Sequence, residues 1–582
     1  MKLGAISAAS CISIGSPFMR AAEAAPATTT PIQHLVVIFQ ENVSFDHYFA
    51  TYPTATNPAG EPQFTAKAGT LQVNGLLPNS VNGMINYLVN NPNGANPQRL
   101  DNTPSQALTC DQDHAYKDEE TAADGGKMDK FLSSVATATG NSPTGQPCQA
   151  STNLDYYDGN TVTALWNYAQ NFAMSDNSFG TTYGPSTPGA LEVASGMTDG
   201  VGFVNSQTGT ANTAVEADGL GGMADIGDSD PYYDDCSSKT SNISMTGTNV
   251  GDELNSAGLS WGFFEGGFSP TVTYSGPATT PGTYNPANVS GGAVCGSSHP
   301  IGAAMGGTGQ WGTESDYIPH HQPFQYYAST ANPHHLAPAS LSVIGTDTQS
   351  FTASGQPQFN TANHQYDMSD FNNLVASISA GNLSPSHLPA VSYLKAPAYE
   401  DGHAGDSDPV DEQRFVTEEI NALEQTPDWS STAVVVAYDD SDGFYDHVYS
   451  GAQNNGQPQL TSQSPADTLT GTGQCGTAPA KLNGSEGRCG YGPRLPLLVI
   501  SPWAKTNSVD HTLTDQSSIV KFIQNNWSLP PIAGSAATVA GTLNNMFNFS
   551  GSGNTPTLFL DPTTGEPLPA APCSKELHTC NS

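Results

Sequence analysis

The sequence predicts an α/β fold in which a mainly parallel β-sheet is flanked by helices and interrupted by a long polar insertion. Three observations carry this reading. Short continuous apolar runs end abruptly in polar residues, amphipathic stretches with apolar residues three and four apart fall between them, and residues 200–312 show neither pattern.

The apolar runs are 35–39, before Gln40-Glu41-Asn42; AVSYL at 390–394, before Tyr399 to His403; AVVVAY at 433–438, before Asp439-Asp440; and LLVI at 497–500, before Ser501-Pro502. Continuous runs of this length suit strands covered on both faces. Helices are predicted over 162–174, 411–424 and 515–527. In open sheets of this kind ligands sit outside the carboxyl ends of the strands. Glu41, Asn42, Asp439 and Asp440 all fall there.

At the start of the chain, Lys2, a moderately apolar stretch and the small residues Ala22 and Ala24 read as an export signal over 1–24. A lipoprotein-type cleavage before Cys11 is the alternative. No later run approaches the roughly 20 apolar residues a membrane helix requires. A secreted or periplasmic protein with no transmembrane segment is therefore expected. The catalytic domain is placed at 31–548, with the Gly-, Thr-, Ser-, Asn- and Asp-rich stretch of about 200–312 as an insertion or lid, and 549–582 as a surface tail.

Removing Cys11 with the signal leaves Cys110, Cys148, Cys236, Cys295, Cys475, Cys489, Cys573 and Cys580, an even number that suggests disulfides in an exported chain. Eight cysteines allow about 105 connectivities. Sequential pairing, Cys110–Cys148, Cys236–Cys295, Cys475–Cys489 and Cys573–Cys580, is the simplest guess. The absence of C-x-x-C spacing argues against zinc and redox sites.

The 582 residues carry 53 acids against 16 bases, a formal net charge of -37. Such a surface repels nucleic acid and anionic membranes. It also slows an anionic substrate, so a phosphate-ester site would need a cation to reverse the sign locally.

In SFGTTYGPSTPGALEVASG, residues 178–196, Thr187 as N-cap with Pro188 at the first helical position is a complete local account. The alternative places Ser186 at the positive end of a helix, where N–H groups hold a phosphate and favour an alkoxide. Asp439-Asp440 has two readings as well: a solvated turn finished by Ser441-Asp442-Gly443, or buried carboxylates that a hard divalent cation with oxygen ligands would reconcile. The histidines His114, His320-His321, His334-His335, His403 and His447 sit beside loop turns, where imidazoles can bind phosphate oxygens or protonate a leaving oxygen.

These pieces occur together, and in order, in HLVVIFQENVSFDHYFATYP, DQDHAYKDEETAADGGKMDKF, YGPSTPGALEVASG, IPHHQPFQYY, DGHAGDS, VVVAYDDSDGFYDHV, RLPLLVISPWAK and VDHTLTDQSSIVKFIQNNW. The chain resembles the bacterial acid phosphatase and phospholipase C superfamily of phosphoesterases, from about residue 33 to 528. The resemblance implies an alkaline-phosphatase-like core and a site built around one divalent metal ion. It implies Glu41, Asn42, Ser186, Asp439 and Asp440 as metal ligands, Ser186 also as nucleophile, and His114, His320, His321 and His403 as the phosphate-binding and acid–base set. Asn42 is expected to serve the phosphate through its amide as well.

Asp446-His447 is read as support or packing near the site, and His334-His335 as structural. Phospholipase C branches of the family tend to carry Thr at the nucleophile and an Asp-Glu pair after the later strand. Ser186 and Asp439-Asp440 tilt this chain toward the acid phosphatase branch. The expected activity is phosphomonoester hydrolysis. The alternatives are phospholipase C action on phosphatidylcholine-type diesters and an inactive surface or adhesion protein on a phosphoesterase core.

Overall fold

Strands form where the continuous apolar runs predict them, and more form between. The computed structural model describes residues 27–205, 214–217, 222–277, 284–286, 289–449, 491–553 and 555–572. The expected export segment 1–24 and the pairs Cys475–Cys489 and Cys573–Cys580 lie outside the described residues.

Among the described residues the main sheet holds eight strands: β1 His34–Gln40, β2 Ala173–Ser175, β3 Trp261–Glu265, β4 Gln365–Asp367, β5 Val391–Lys395, β6 Thr432–Tyr438, β7 Leu497–Ile500 and β8 Ser508–Asp510. Their order across the sheet is β4-β3-β5-β1-β6-β7-β2-β8. Neighbours run parallel except that β7 is antiparallel to both β6 and β2. Leu35 to Ile38 and Ala433 to Val436 are wholly buried, as strands covered on both faces must be.

The helices that matter for the site or its support are α1 Phe45–Phe49, α2 Tyr116–Ala123, α3 Thr163–Asn171, α4 Ser186–Ser195, α5 Val250–Ala257, α6 Met368–Ser379, α7 Pro409–Leu423 and α8 Ser517–Trp527. The predicted helix 162–174 stops early: it ends at Asn171, and Ala173–Ser175 turns into β2, pairing with Leu497 to Val499 of β7. Sheet pairing overrides the helical spacing there. Helix α7 begins where local chemistry dictates, with the Asp408 side chain accepting from Val410 N (2.8 Å) and Asp411 N (3.1 Å) and Pro409 in the first turn.

Residues 200–312 are not insertion throughout. Within them, β3 lies in the main sheet between β4 and β5, and α5 buries Val250 and Leu254. The run WGFFE was masked by the polar, glycine-rich sequence around it. Cys236–Cys295 does close the polar part, and Cys110–Cys148 is formed as well. The described part of the segment after 548 lies across helices rather than trailing free: Leu560 is fully buried, its N–H donating to Asn421 Oδ1 and its carbonyl accepting from Asn421 Nδ2.

A buried ion network staples α1 to the sheet. Arg494 Nη2 is 3.0 Å from both Asp46 Oδ1 and Asp446 Oδ2, Nη1 donates to the carbonyls of Asn74 and Asp176, and the guanidinium covers the Phe45 ring. His447 Nδ1 closes it at 2.6 Å from Asp46 Oδ2.

Several buried or half-buried acids away from the main sheet's strand ends keep their protons well above the usual carboxylate range. Burial pushes Glu412 up to about 7, against the Tyr48 and Tyr438 hydroxyls that donate to it. Burial pushes Glu424 up to about 8 and Asp155 up to about 7. Each is still protonated in the folded chain where the unfolded chain has ionised, so the folded state binds more protons from about pH 4 to 8. Stability should therefore fall as pH rises through that window, by an amount on the order of several kcal/mol. Denaturant unfolding with chelator present is expected to give a higher midpoint at pH 5 than at pH 8. A midpoint that rises with pH would contradict this assignment.

Candidate functional site

Strands β1 and β6 pair in register from His34↔Thr432 to Gln40↔Tyr438, so the residues that follow them emerge side by side. Asp439 N donates to Gln40 O (3.2 Å), Asn42 N donates to Asp439 Oδ1 (3.2 Å), and Glu41 N donates to Asp401 O (3.0 Å) from the loop after β5. Asn42 has φ +48°, the left-handed bend that turns the chain off the strand end. The carboxylates of Glu41, Asp439 and Asp440 consequently lie within 4.8 Å of one another, and all are buried.

Helix α4 brings Ser186 to this cluster. The helix starts at Ser186 itself, with Pro185 at the N-cap, so the Thr187 N-cap expected as the bland account does not form. Ser186 Oγ lies 3.0 Å from Glu41 Oε2, 3.2 Å from Asp440 Oδ2 and 3.5 Å from Asn42 Oδ1. Gly189 permits the approach: a Cβ there would sit 2.3 Å from the Asp439 carbonyl oxygen. The preceding turn is fixed by Gly184 N donating to Glu119 Oε2 (2.9 Å), and Ser441 Oγ donates to the other oxygen of Glu119 (2.7 Å).

The four predicted histidines surround the same point. His114, on the loop just after Cys110, holds Nδ1 2.9 Å from Gln112 O and 3.1 Å from Asp442 Oδ1, and its ring lies 6.0 Å from that of His403. His321 Nε2 is 3.4 Å from Glu41 Oε1. His320 packs edge-on to His321 with Nδ1 3.6 Å from Asp230 Oδ1. Burial works against charge on His114 and His403, but Asp440 and Asp442 for the former, and Asp442 and Asp406 for the latter, outweigh it. His114 is held well above its ordinary value and His403 is pushed up to about 10. Burial takes His321 the other way, well below its ordinary value, despite Glu41.

The carboxylate cluster fits a hard divalent cation. Burial and then the neighbouring carboxylates raise Asp439 well above its ordinary value, and burial pushes Asp440 up to about 6 against the pull of His114. The Asn42 amide sits among the same groups: with its oxygen toward His403, Nδ2 donates to Glu41 and to Asp439 Oδ1 (3.0 Å) and Oδ1 accepts from His403 Nε2 (3.0 Å). Glu41, Asp439, Asp440, Asn42 Oδ1 and Ser186 Oγ form an all-oxygen set suited to Mg, Ca, Mn or Fe.

Other residues at the site were not singled out from sequence. Lys395, the last residue of β5, is buried and ion-paired with Glu41 Oε1. Asp401, Asp442 and Glu119 orient Glu41, His114 and the Ser186 turn respectively. The available signal for Lys395 was its place directly after the AVSYL run, where a lysine must find a buried partner. His334 and His335 are buried and structural, paired with Asp235 (3.0 Å) and Asp234 (2.9 Å) beside the Cys236–Cys295 bridge.

A model of the Phosphoesterase family matches residues 32–530, and the chain belongs to that family. It is 24% identical over 545 residues to a non-hemolytic phospholipase C of Pseudomonas aeruginosa, covering 90% of this chain and 58% of that protein. It is 23% identical over 559 residues to a non-hemolytic phospholipase C of Burkholderia pseudomallei, covering 93% of this chain and 63% of that protein. The chain thus spans about three-fifths of the length of these curated relatives. A crystal structure of an alkaline phosphatase superfamily protein from Vibrio parahaemolyticus matches 64% of this chain and 63% of its own at 10% identity and a TM-score of 0.27.

Gly189→Ala should separate α4 from the end of β6, because the new methyl meets backbone and not a flexible side chain. The expected cost is about 1–3 kcal/mol in thermal or denaturant unfolding. An unchanged midpoint would show that the helix can shift freely.

Proposed function

We propose that this chain is an exported, metal-dependent phosphomonoesterase of acid-phosphatase type that works through a phosphoserine on Ser186. The observation that carries the reading is a serine hydroxyl at a helix N-terminus, 3.0 and 3.2 Å from two buried carboxylates and ringed by four histidines.

Glu41, Asn42, Asp439, Asp440 and Ser186 would hold the cation, which when bound supplies positive charge that acidifies the serine hydroxyl and offsets the charge of the phosphate. Ser186 Oγ gives its proton to a carboxylate it donates to, Glu41 or Asp440, and attacks phosphorus in line, forming the P–Oγ bond as the bond to the leaving oxygen breaks. His114 and His403, kept protonated by their acidic neighbours, donate to the non-bridging oxygens, aided by the first N–H groups of α4. His320 and His321 complete the set from the opposite loop, one histidine giving its proton to the leaving alcohol. Water then attacks the phosphoserine, giving its proton to the histidine that protonated the leaving alcohol, and inorganic phosphate leaves as the carboxylate returns its proton to the Ser186 oxygen.

A second reading has a specific observation in its favour: both relatives reported above are named phospholipases C. That reading keeps the same nucleophile and cation and changes only the ester, from a phosphomonoester to a phospholipid diester. The cationic histidines and the positive helix end favour the monoester, whose phosphate carries more negative charge than a diester.

Hydrolysis of p-nitrophenyl phosphate is expected to exceed that of p-nitrophenyl phosphorylcholine in kcat/KM; strong preference for the diester would replace the first reading by the second. Ser186→Ala should lower kcat by about a thousandfold or more while leaving the fold and phosphate affinity largely intact. Activity that survives the substitution would remove Ser186 as nucleophile. Chelation followed by dialysis should abolish turnover, and full activity in the metal-free protein would exclude the cation.

A further inference from the structure

Glu41 divides its two oxygens between different partners. Oε2 faces the Ser186 hydroxyl at 3.0 Å, whereas Oε1 is held by the Lys395 ammonium, with His321 Nε2 at 3.4 Å from the same oxygen. Lys395 is 1% exposed, at the carboxyl end of β5, and sheet order puts that strand directly beside β1. Its ammonium lies 5.8 Å from the centre of the Phe39 ring, in the interior of the fold.

Resting on the metal-dependent reading above, we propose that Lys395 is a positioning residue: it clamps Oε1 of Glu41 and so presents Oε2 to Ser186 and to the cation. The clamp has a charge consequence as well as a geometric one. Three carboxylates with one ammonium carry a net charge that one divalent ion neutralises, whereas three carboxylates alone exceed it. The ligand's other oxygen is also prevented from turning into the site, as a hydrogen-bonded partner behind a metal-binding carboxylate does generally.

Lys395→Met should weaken Mn2+ binding, followed by electron paramagnetic resonance of the purified full chain, by about tenfold or more, and lower kcat by a similar factor with KM little changed. In a Glu41→Gln background, adding Lys395→Met should alter Mn2+ affinity, or kcat where binding is too weak to follow, by less than about threefold, because the group Lys395 acts through is gone. This second comparison decides the matter even where the single Lys395→Met protein fails to fold, since the double variant removes the ammonium together with the carboxylate it is paired with. Equal Mn2+ affinity in wild type and Lys395→Met overturns the inference. So does a further loss of about tenfold in the double variant over Glu41→Gln, which would mean that Lys395 acts independently of that carboxylate. Wild-type protein that binds no Mn2+ and works after chelation overturns the metal-dependent reading and this inference with it, and is told apart because it is seen without any substitution.

Discussion

The carboxylates of Glu41, Asp439 and Asp440 crowd within 4.8 Å in a space nearly closed to water, so their repulsion is poorly screened and must be met by neighbouring positive charge or by protons. Lys395 meets part of it through Glu41, His114 part of it through Asp440, and raised affinity for protons at Asp439 and Asp440 the remainder. A fold that tolerates such a cluster needs rigid supports on every side, because a small shift of any carboxylate would change the balance. The rest of the architecture supplies them.

The supports are strand register and close helix approach, not long loops. Beta pairing between His34–Gln40 and Thr432–Tyr438 fixes Glu41 against Asp439, while Gly189 lets α4 rest on the Asp439 carbonyl and delivers Ser186. The loop bearing His114 is anchored by Cys110–Cys148 at one end and by Asp442 at the other. Arg494 sits under α1 with Asp46 and Asp446, a buried ion network whose cost is offset only because each nitrogen finds an acceptor. It holds the segment that leaves Asn42 in one orientation.

Strands that are apolar throughout were legible in sequence because burial on both faces leaves no polar residue to confuse the pattern, and the acids just beyond them stood out for the same reason. Ser186 was legible only in part: a helix start was visible at Thr187-Pro188, whereas the helix begins at Ser186 with Pro185 at its N-cap. WGFFE was lost inside 200–312 because five residues cannot outweigh the glycine-rich composition around them. Lys395 was missed for a different reason. A lysine closing an apolar run calls for a buried partner without naming it, and that partner lies far away in sequence at Glu41.

The whole-chain charge of -37 makes this site an electrostatic exception that must be maintained locally. His114 and His403 stay protonated because Asp440, Asp442 and Asp406 surround them, so the same acids that would repel a phosphate also keep these imidazoles cationic. Each carboxylate near Ser186 therefore acts twice, once through space on the substrate and once through a histidine or lysine it holds charged. Acidic conditions lower the negative charge of the surface as a whole, since exposed carboxylates take up protons, while the buried His403, at about 10, remains charged throughout. A phosphate ester would then meet less repulsion on approach and undiminished attraction on arrival, which is the charge logic of the acid-phosphatase reading.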